Sequence, residues 1–159
     1  MTDIAEADDV VVLLRAFYGR CFADDLLGPV FVDVAHLDLE SHLPIMVDFW
    51  MTVLFRTGHY DRNLLKVHAD LHERAPLTPQ LLDRWLSLWT QTSRELYTGE
   101  VVERAITQAE RITWSLARRL NGESASQLTT VIRGDLVKPF PAAENPSTSC
   151  RVSTCQVMP

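Results

Sequence analysis

The feature that most constrains this chain is the recurrence of apolar residues at helical spacing. Between Val10 and Phe22 they recur at i, i+3, i+4 and i+7, which places them on one face of an amphipathic helix. Similar stripes cover Asp38 to Phe55, Leu64 to His72, the segment after Thr78-Pro79, and Val101 to Leu120. No stretch of two-residue alternation between turn residues predicts a hairpin. The pattern therefore predicts an all-α fold.

Turn residues and capping residues predict where these helices begin and end. Gly28-Pro29 interrupts the chain after the first helix. Thr78-Pro79 is typical of a helix start, and Asn121-Gly122 of a helix end. Ser41 is the predicted N-cap of the helix that contains Pro44, because a proline costs least in the first turn.

The chain divides into two regions by composition. Helical periodicity ends at Gly122, and residues 123–159 are rich in Ser, Thr, Pro and Ala. We predict one folded domain over residues 5–122 and a disordered tail over residues 123–159. Cys150 and Cys155 lie in this tail, and the sequence leaves open whether they pair.

Charge and composition exclude several classes of protein. The net charge of −6 argues against a nucleic-acid surface, since phosphate binding needs clustered Lys and Arg. The acidic start "MTDIAEADD" is not a signal peptide, and no apolar run is long enough to cross a bilayer. Three cysteines do not form a secreted disulfide framework, and Cys21 fits a small buried residue. A cytoplasmic protein with no membrane partner is expected.

Most catalytic motifs are missing from the sequence. It contains no phosphate-binding glycine loop, no GxSxG, no CxxC and no HExxH. His68 and His72 are four residues apart on a predicted helix and could share a metal ion, but a zinc site requires further ligands. The other candidates, His36, His42 and His59, are scattered over other segments.

A flat cofactor held edge-on between helices suits the residues better. Neutral imidazole is the usual axial ligand of haem iron, and such a site also needs large apolar walls. The chain offers wall residues at helical spacing, namely Phe31, Met46, Phe49, Trp50, Leu65, Trp85 and Trp89. Polar groups that could reach a bound ligand are Tyr18, His42 and the indole N–H of Trp85. The same aromatic stripe is also typical of an ordinary core, so the residues alone leave both interpretations open.

Four blocks of sequence occur in the order of a known family. They are "FYGRCFADDLLGPVF" (Phe17 to Phe31), "SHLPIMVDFWMTVLF" (Ser41 to Phe55), "NLLKVHADLHERAPLTP", and "RWLSLW" (Arg84 to Trp89). In order and spacing they resemble the group III truncated haemoglobins, over about residues 10–120. The glycine pairs of the group I and group II proteins are missing, as group III implies.

The resemblance implies a two-over-two helical sandwich that holds haem b. His68 in "LLKVH" matches the proximal iron ligand, with His72 one turn further on. The distal residues would be Tyr18, His42 and Trp85. The haem-contacting residues would be Phe31 and Met46, with Phe49 and Leu65 as further wall residues.

The resemblance further implies a protein that binds O2, and also NO or CO, at a five-coordinate iron. One alternative is a haem enzyme that removes NO or peroxide. This would require a separate reductase, because the chain has no flavin or nicotinamide motif. Another alternative is a cofactor-free helical module that binds a protein partner.

Overall fold

The computed structural model describes residues 1–122, and the predicted tail, with Cys150 and Cys155, lies outside the described residues. Five α-helices and one π-helical turn make up this part of the chain. The helices are α1 (Ala7–Ala23), α2 (Leu39–Phe55), α3 (Leu64–Arg74), α4 (Pro79–Leu96) and α5 (Glu100–Asn121), and the π-helical turn is Pro29–Val34. The all-α prediction is confirmed.

Four of the helices form two stacked pairs. Helix α1 packs against α2 and α4, and α5 packs against α4 and α2. Each helix of one pair therefore touches its own partner and one helix of the other pair, which is the predicted two-over-two sandwich. Helix α3 lies outside this stack and contacts α5.

The predicted turn at Gly28-Pro29 is where α1 gives way to the π-helical turn. A Cβ at Gly28 would lie 2.9 Å from the carbonyl oxygen of Phe22, closer than real side chains approach, so only glycine fits here. Pro29 then opens the π-helical turn, where its missing N–H removes no intrahelical bond. The close approach lets the chain reverse onto α1.

The helix ends confirm two predicted caps and correct a third. The Thr78 side chain accepts a hydrogen bond from the backbone N–H of Leu81, and Gly122 ends α5 with φ 65°. The Ser41 prediction is wrong, because the N-cap of α2 is Asp38, whose carboxylate accepts from the N–H of Glu40 at 3.3 Å. Aspartate is as good an N-cap as serine, so the helix starts at the earlier residue. Pro44 consequently lies inside α2.

The packed unit also includes residues before the predicted boundary at residue 5. Ile4 is only 2% exposed and belongs to the main core. The carboxylate of Asp3 accepts hydrogen bonds from the N–H groups of Val101 and Val102, at 2.8 and 2.9 Å. Asp3 thus caps the first turn of α5, whose N-terminal N–H groups have no partner within the helix.

The apolar side chains form two separate clusters. The larger one fills the space between α1, α2, α4 and α5 and includes Phe17, Cys21, Trp50 and Trp89. The second is small, consists of Leu77, Leu82, Leu116 and Ala117, and has Leu65 and Leu71 of α3 packed against it. Neither α3 nor the π-helical turn contains a fully buried residue.

A helix must be long and apolar to cross a bilayer. Among residues 1–122, each helix is too short or too polar to span a membrane.

Candidate functional site

His68 lies on the face of α3 that is partly covered by the rest of the molecule. Its Nδ1 atom is 2.8 Å from the carbonyl oxygen of Leu64, one turn earlier on the helix. A carbonyl oxygen can only accept a hydrogen bond, so Nδ1 carries the proton. In the neutral ring Nε2 is then left with a lone pair, which is the form of histidine that binds a metal.

His72 makes the opposite hydrogen bond. Its Nδ1 atom accepts from the backbone N–H of Leu77 at 3.0 Å. A backbone N–H can only donate, so Nδ1 of His72 carries the lone pair. In the neutral ring Nε2 is protonated and has no lone pair for a metal. The side chain ties the end of α3 to the loop that leads into α4 and has a structural role there.

Burial favours the neutral form of His68. Removal of the ring from solvent lowers its pKa, and the hydrogen bond to the Leu64 carbonyl offsets only part of this effect. At neutral pH the ring is therefore uncharged, as a metal ligand must be.

His42 on α2 is the second histidine of the site. Its ring is half-buried, and burial lowers its pKa, as do electrostatic interactions with Arg62 and with His68. His68 thus lies close enough to His42 to lower its pKa, although the two residues are on different helices. Arg62 had not been predicted from the sequence, because nothing in the loop before α3 distinguishes it.

Tyr18 is a buried side chain on α1. It is 4% exposed, and its ring packs edge-on against Phe31 of the π-helical turn, with centroids 5.8 Å apart. Burial raises the pKa of its phenol well above the ordinary value, with a smaller contribution from Cys21. The hydroxyl is therefore protonated at all physiological pH values and available as a donor.

Trp85 on α4 is joined to Tyr18 through a shared neighbour. Phe17 packs edge-on against both rings, with centroid distances of 5.2 Å in each case. The indole of Trp85 is partly exposed. Tyr18, Phe31 and Trp85 therefore belong to one continuous cluster of aromatic rings, joined through Phe17 and Tyr18.

An ion pair fixes the start of α4 next to Trp85. The guanidinium of Arg84 donates to the carboxylate of Asp24, at 2.7 Å, and Asp24 also accepts from the N–H groups of Leu26 and Leu27. This pair links the end of α1 to α4 and holds the residue next to Trp85. No local sequence pattern indicates this pair, because its two partners are far apart along the chain.

The other predicted wall residues, Met46, Leu65 and Phe49, lie in different parts of the structure. Met46 packs against the larger core cluster and Leu65 against the smaller one, and both are partly exposed. Phe49 lies deeper, where its ring contacts Trp50 and Tyr60 rather than Tyr18 or Phe31. Met46 therefore lies beside the larger cluster and Leu65 beside the smaller one, whereas Phe49 is a member of the larger cluster.

A shared metal site of the zinc type has no support in this part of the molecule. Within residues 1–122, no three His, Cys, Asp or Glu side chains cluster as metal ligands would. The arrangement instead offers one imidazole lone pair, two apolar surfaces and polar groups from α1, α2 and α4.

Comparisons with known proteins agree with the resemblance seen in the sequence. The chain matches no protein-family model. It is 25% identical over 108 residues to the group 3 truncated hemoglobin ctb of Campylobacter jejuni, which covers 66% of this chain and 83% of that protein. The crystal structure of the group III truncated hemoglobin from Campylobacter jejuni superposes with a TM-score of 0.67 at 23% identity. This match covers 76% of this chain and 95% of that one.

The fold is therefore the truncated-globin fold, with two helices stacked over two. Within that class, the protein is similar to the group III truncated haemoglobins, as the four sequence blocks predicted.

Proposed function

We propose that this protein is a globin that holds haem b through His68 and binds a diatomic gas, O2 above all, on the opposite side. The observation that carries the proposal is the contrast between the two histidines of α3. Of the two, only His68 presents a free Nε2 lone pair, because its Nδ1–H is fixed by the Leu64 carbonyl. A hydrogen bond of this kind is the usual way in which a protein orients a metal-binding histidine.

The residues of the site fit such a cofactor. Helix α3 is amphipathic but buries no residue completely, so its apolar side is only partly covered by protein. The partly exposed Leu65 packs with one core cluster, and the partly exposed Phe31 and Met46 with the other. A flat apolar molecule between these surfaces would bury them, which stabilises the complex by about 25 cal/mol per Å2 of apolar surface removed from water.

When bound, haem would supply an iron that binds a diatomic gas reversibly. In this proposal the phenol of Tyr18 and the indole N–H of Trp85 donate hydrogen bonds to a ligand that carries partial negative charge. Such donors act strongly because they are fixed in place and shielded from water. His42, neutral at physiological pH, controls how water and ligand enter.

The proposal is tested by haem titration of two matched variants. His68→Ala removes the only protein bond to the iron, so the variant should lose the spectrum of stably ligated haem. His72→Ala lies one turn away on the same helix and should retain a spectrum close to that of the wild type. If His72→Ala loses the spectrum and His68→Ala keeps it, the proximal assignment is wrong by one turn. If neither variant differs from the wild type, the haem is not held through α3.

A further inference from the structure

Three tryptophans form a stack that starts at the candidate site. Trp85 is parallel to Trp89, with an interplanar angle of 1° and centroids 5.8 Å apart. Trp89 is in turn stacked on Trp50, at 13° and 4.4 Å. We refer to Trp85, Trp89 and Trp50 as the indole stack. It leads from a partly exposed residue of the candidate site into the core.

The two inner indoles are unusual in their hydrogen bonding. Trp89 is 1% exposed and Trp50 is 2% exposed, yet the Nε1 atom of each is buried without a hydrogen-bond partner. A buried indole N–H normally finds an acceptor, so two orphaned donors in one stack need an explanation.

A redox role explains both features. An indole that loses an electron becomes a radical cation, which in water releases its N–H proton and traps the charge. Where no acceptor is present the proton stays, so the positive charge remains free to move to the next ring. A parallel neighbour also stabilises the cation through its π electrons.

The inner end of the stack is connected to the surface by two further rings. Phe49 packs edge-on against Trp50 at 5.3 Å and against Tyr60 at 5.1 Å. Tyr60 lies in the loop between α2 and α3, where its backbone N–H donates to the hydroxyl of Thr52 at 3.2 Å. It is partly exposed, so an oxidised Tyr60 can release its phenolic proton to water, which the buried indoles cannot do.

We propose that Trp85, Trp89, Trp50 and Tyr60 carry single electrons between the haem site and the protein surface when a hydroperoxide is reduced at that site. The inference rests on the proposed haem function and adds an activity to it. Hydrogen peroxide takes up two electrons and two protons and leaves as two molecules of water. A bound haem would supply one of these electrons, and the other would pass from Tyr60 through Phe49 and the indole stack.

Protons and charge balance at the two ends of this path. Tyr60 gives up one electron along the path and one proton to solvent, and becomes a neutral tyrosyl radical. Solvent supplies the two protons that the peroxide requires. A small one-electron reductant at the surface, such as a phenol or ascorbate, returns an electron to Tyr60 while solvent returns the proton. A second molecule of the same reductant would return the electron that the bound haem had supplied.

The test locates the radical rather than measuring turnover. The haem-loaded ferric protein is mixed with hydrogen peroxide, frozen rapidly for electron paramagnetic resonance, and in parallel treated with a spin trap for peptide mass spectrometry. We expect a tyrosyl signal with the adduct on Tyr60. Trp89→Phe should lose this adduct. Trp114→Phe is the matched control and should keep it, since Trp114 lies on α5 with its ring under Arg118 and outside the stack.

A second variant, Tyr60→Phe, tests the relay even if Trp89→Phe does not fold. Tyr60→Phe changes one hydroxyl at a partly exposed position, so the stack stays intact. It should lose the tyrosyl signal and show a tryptophan radical instead. An unchanged Tyr60 adduct in folded Trp89→Phe, or a wild-type adduct on Tyr97 or Trp114 instead of Tyr60, would overturn the relay. The absorption spectrum recorded before peroxide is added separates this outcome from failure of the haem proposal, which gives no Soret band at all.

Discussion

The two sides of the candidate site are built in different ways. On the side of Tyr18, the helices α1, α2, α4 and α5 enclose a dense core in which Phe17 and Leu14 are completely buried. On the side of His68, α3 buries none of its residues completely and leaves Val67 52% exposed. The first side is stable through its own packing, whereas the second depends on what fills the space next to it. A binding site of this kind combines a rigid wall with a helix whose stability is linked to its ligand.

The largest expected effect is the difference in lost stability between a substitution on the Tyr18 side and one on the His68 side. Phe17→Ala removes a fully buried ring that contacts Tyr18, Trp85 and Trp89, and should lower the free energy of unfolding by about 3 to 5 kcal/mol. Leu65→Ala removes a partly exposed side chain of α3 and should cost only about 1 kcal/mol in the haem-free protein. Urea denaturation measures both values. Equal losses would show that α3 is as well packed as the core.

Haem should change the stability of α3 more than that of α1. A ligand present at 100 times its Kd stabilises the conformation that binds it by about 2.7 kcal/mol over conformations that cannot bind it. Opening of α3 removes the haem contacts, so hydrogen exchange should slow markedly over Leu64–Arg74 when haem is added. Local fluctuations of α1 leave α3 in place, so exchange through such fluctuations over Val10 to Cys21 should change little. Equal slowing in both segments would contradict the comparison.

Smaller effects, on the dissociation rate of bound gas, are expected from substitutions on the Tyr18 side of the site. A hydrogen bond to a partly charged ligand oxygen is worth about 1.5 to 3 kcal/mol, and 1.4 kcal/mol corresponds to about tenfold in affinity. Tyr18→Phe and Trp85→Phe should each change O2 dissociation about tenfold or more. Carbon monoxide is less polar when bound, so its dissociation should change much less.

Stopped-flow release of both gases from the single and double variants checks this prediction. Because the two donors act on one ligand, the double variant should depart from additivity. Similar changes for O2 and CO would indicate altered access to the site instead of lost hydrogen bonds.

The smallest expected effect is on how the stability of the protein falls at acidic pH, through the ion pair of Asp24 and Arg84. Burial alone would raise the pKa of Asp24, but the hydrogen bonds from Arg84, Leu27 and Leu26 outweigh it and lower the pKa below the ordinary value of 3.8. A carboxyl with a lowered pKa contributes stability above its unfolded pKa and loses it as the pH falls through the folded one. Asp24→Asn should therefore flatten the decline in stability below about pH 4. Asp25→Asn, at the exposed neighbouring residue, is the control.

Local features of the sequence were sufficient for most of the fold. The periodicity of apolar residues gave α1 to α5 with only small errors at their ends, and Thr78-Pro79 and Gly122 marked two of those ends correctly. Asp3 was missed because its partners Val101 and Val102 are distant in sequence. Capping by a distant residue leaves no periodic signal.

The site was predictable only as a set of residue types. His68 and His72 look alike in the sequence, and their opposite hydrogen bonds depend on where Leu64 and Leu77 place a carbonyl and an N–H. Likewise, an apolar stripe predicts that Trp89 is buried but not that it stacks on a tryptophan from another helix. Family resemblance, and not periodicity, supplied the roles predicted for Tyr18 and the other distal residues.

The most direct test of the central claim is the absorption spectrum of the wild-type protein titrated with haem. If His68 offers its Nε2 lone pair to the iron, a Soret band should develop and saturate at one haem per chain. Reduction and exposure to carbon monoxide should then shift this band, because the sixth position is open. A titration in which free haem remains unchanged in the presence of folded protein would contradict the account and leave a helical module without a cofactor.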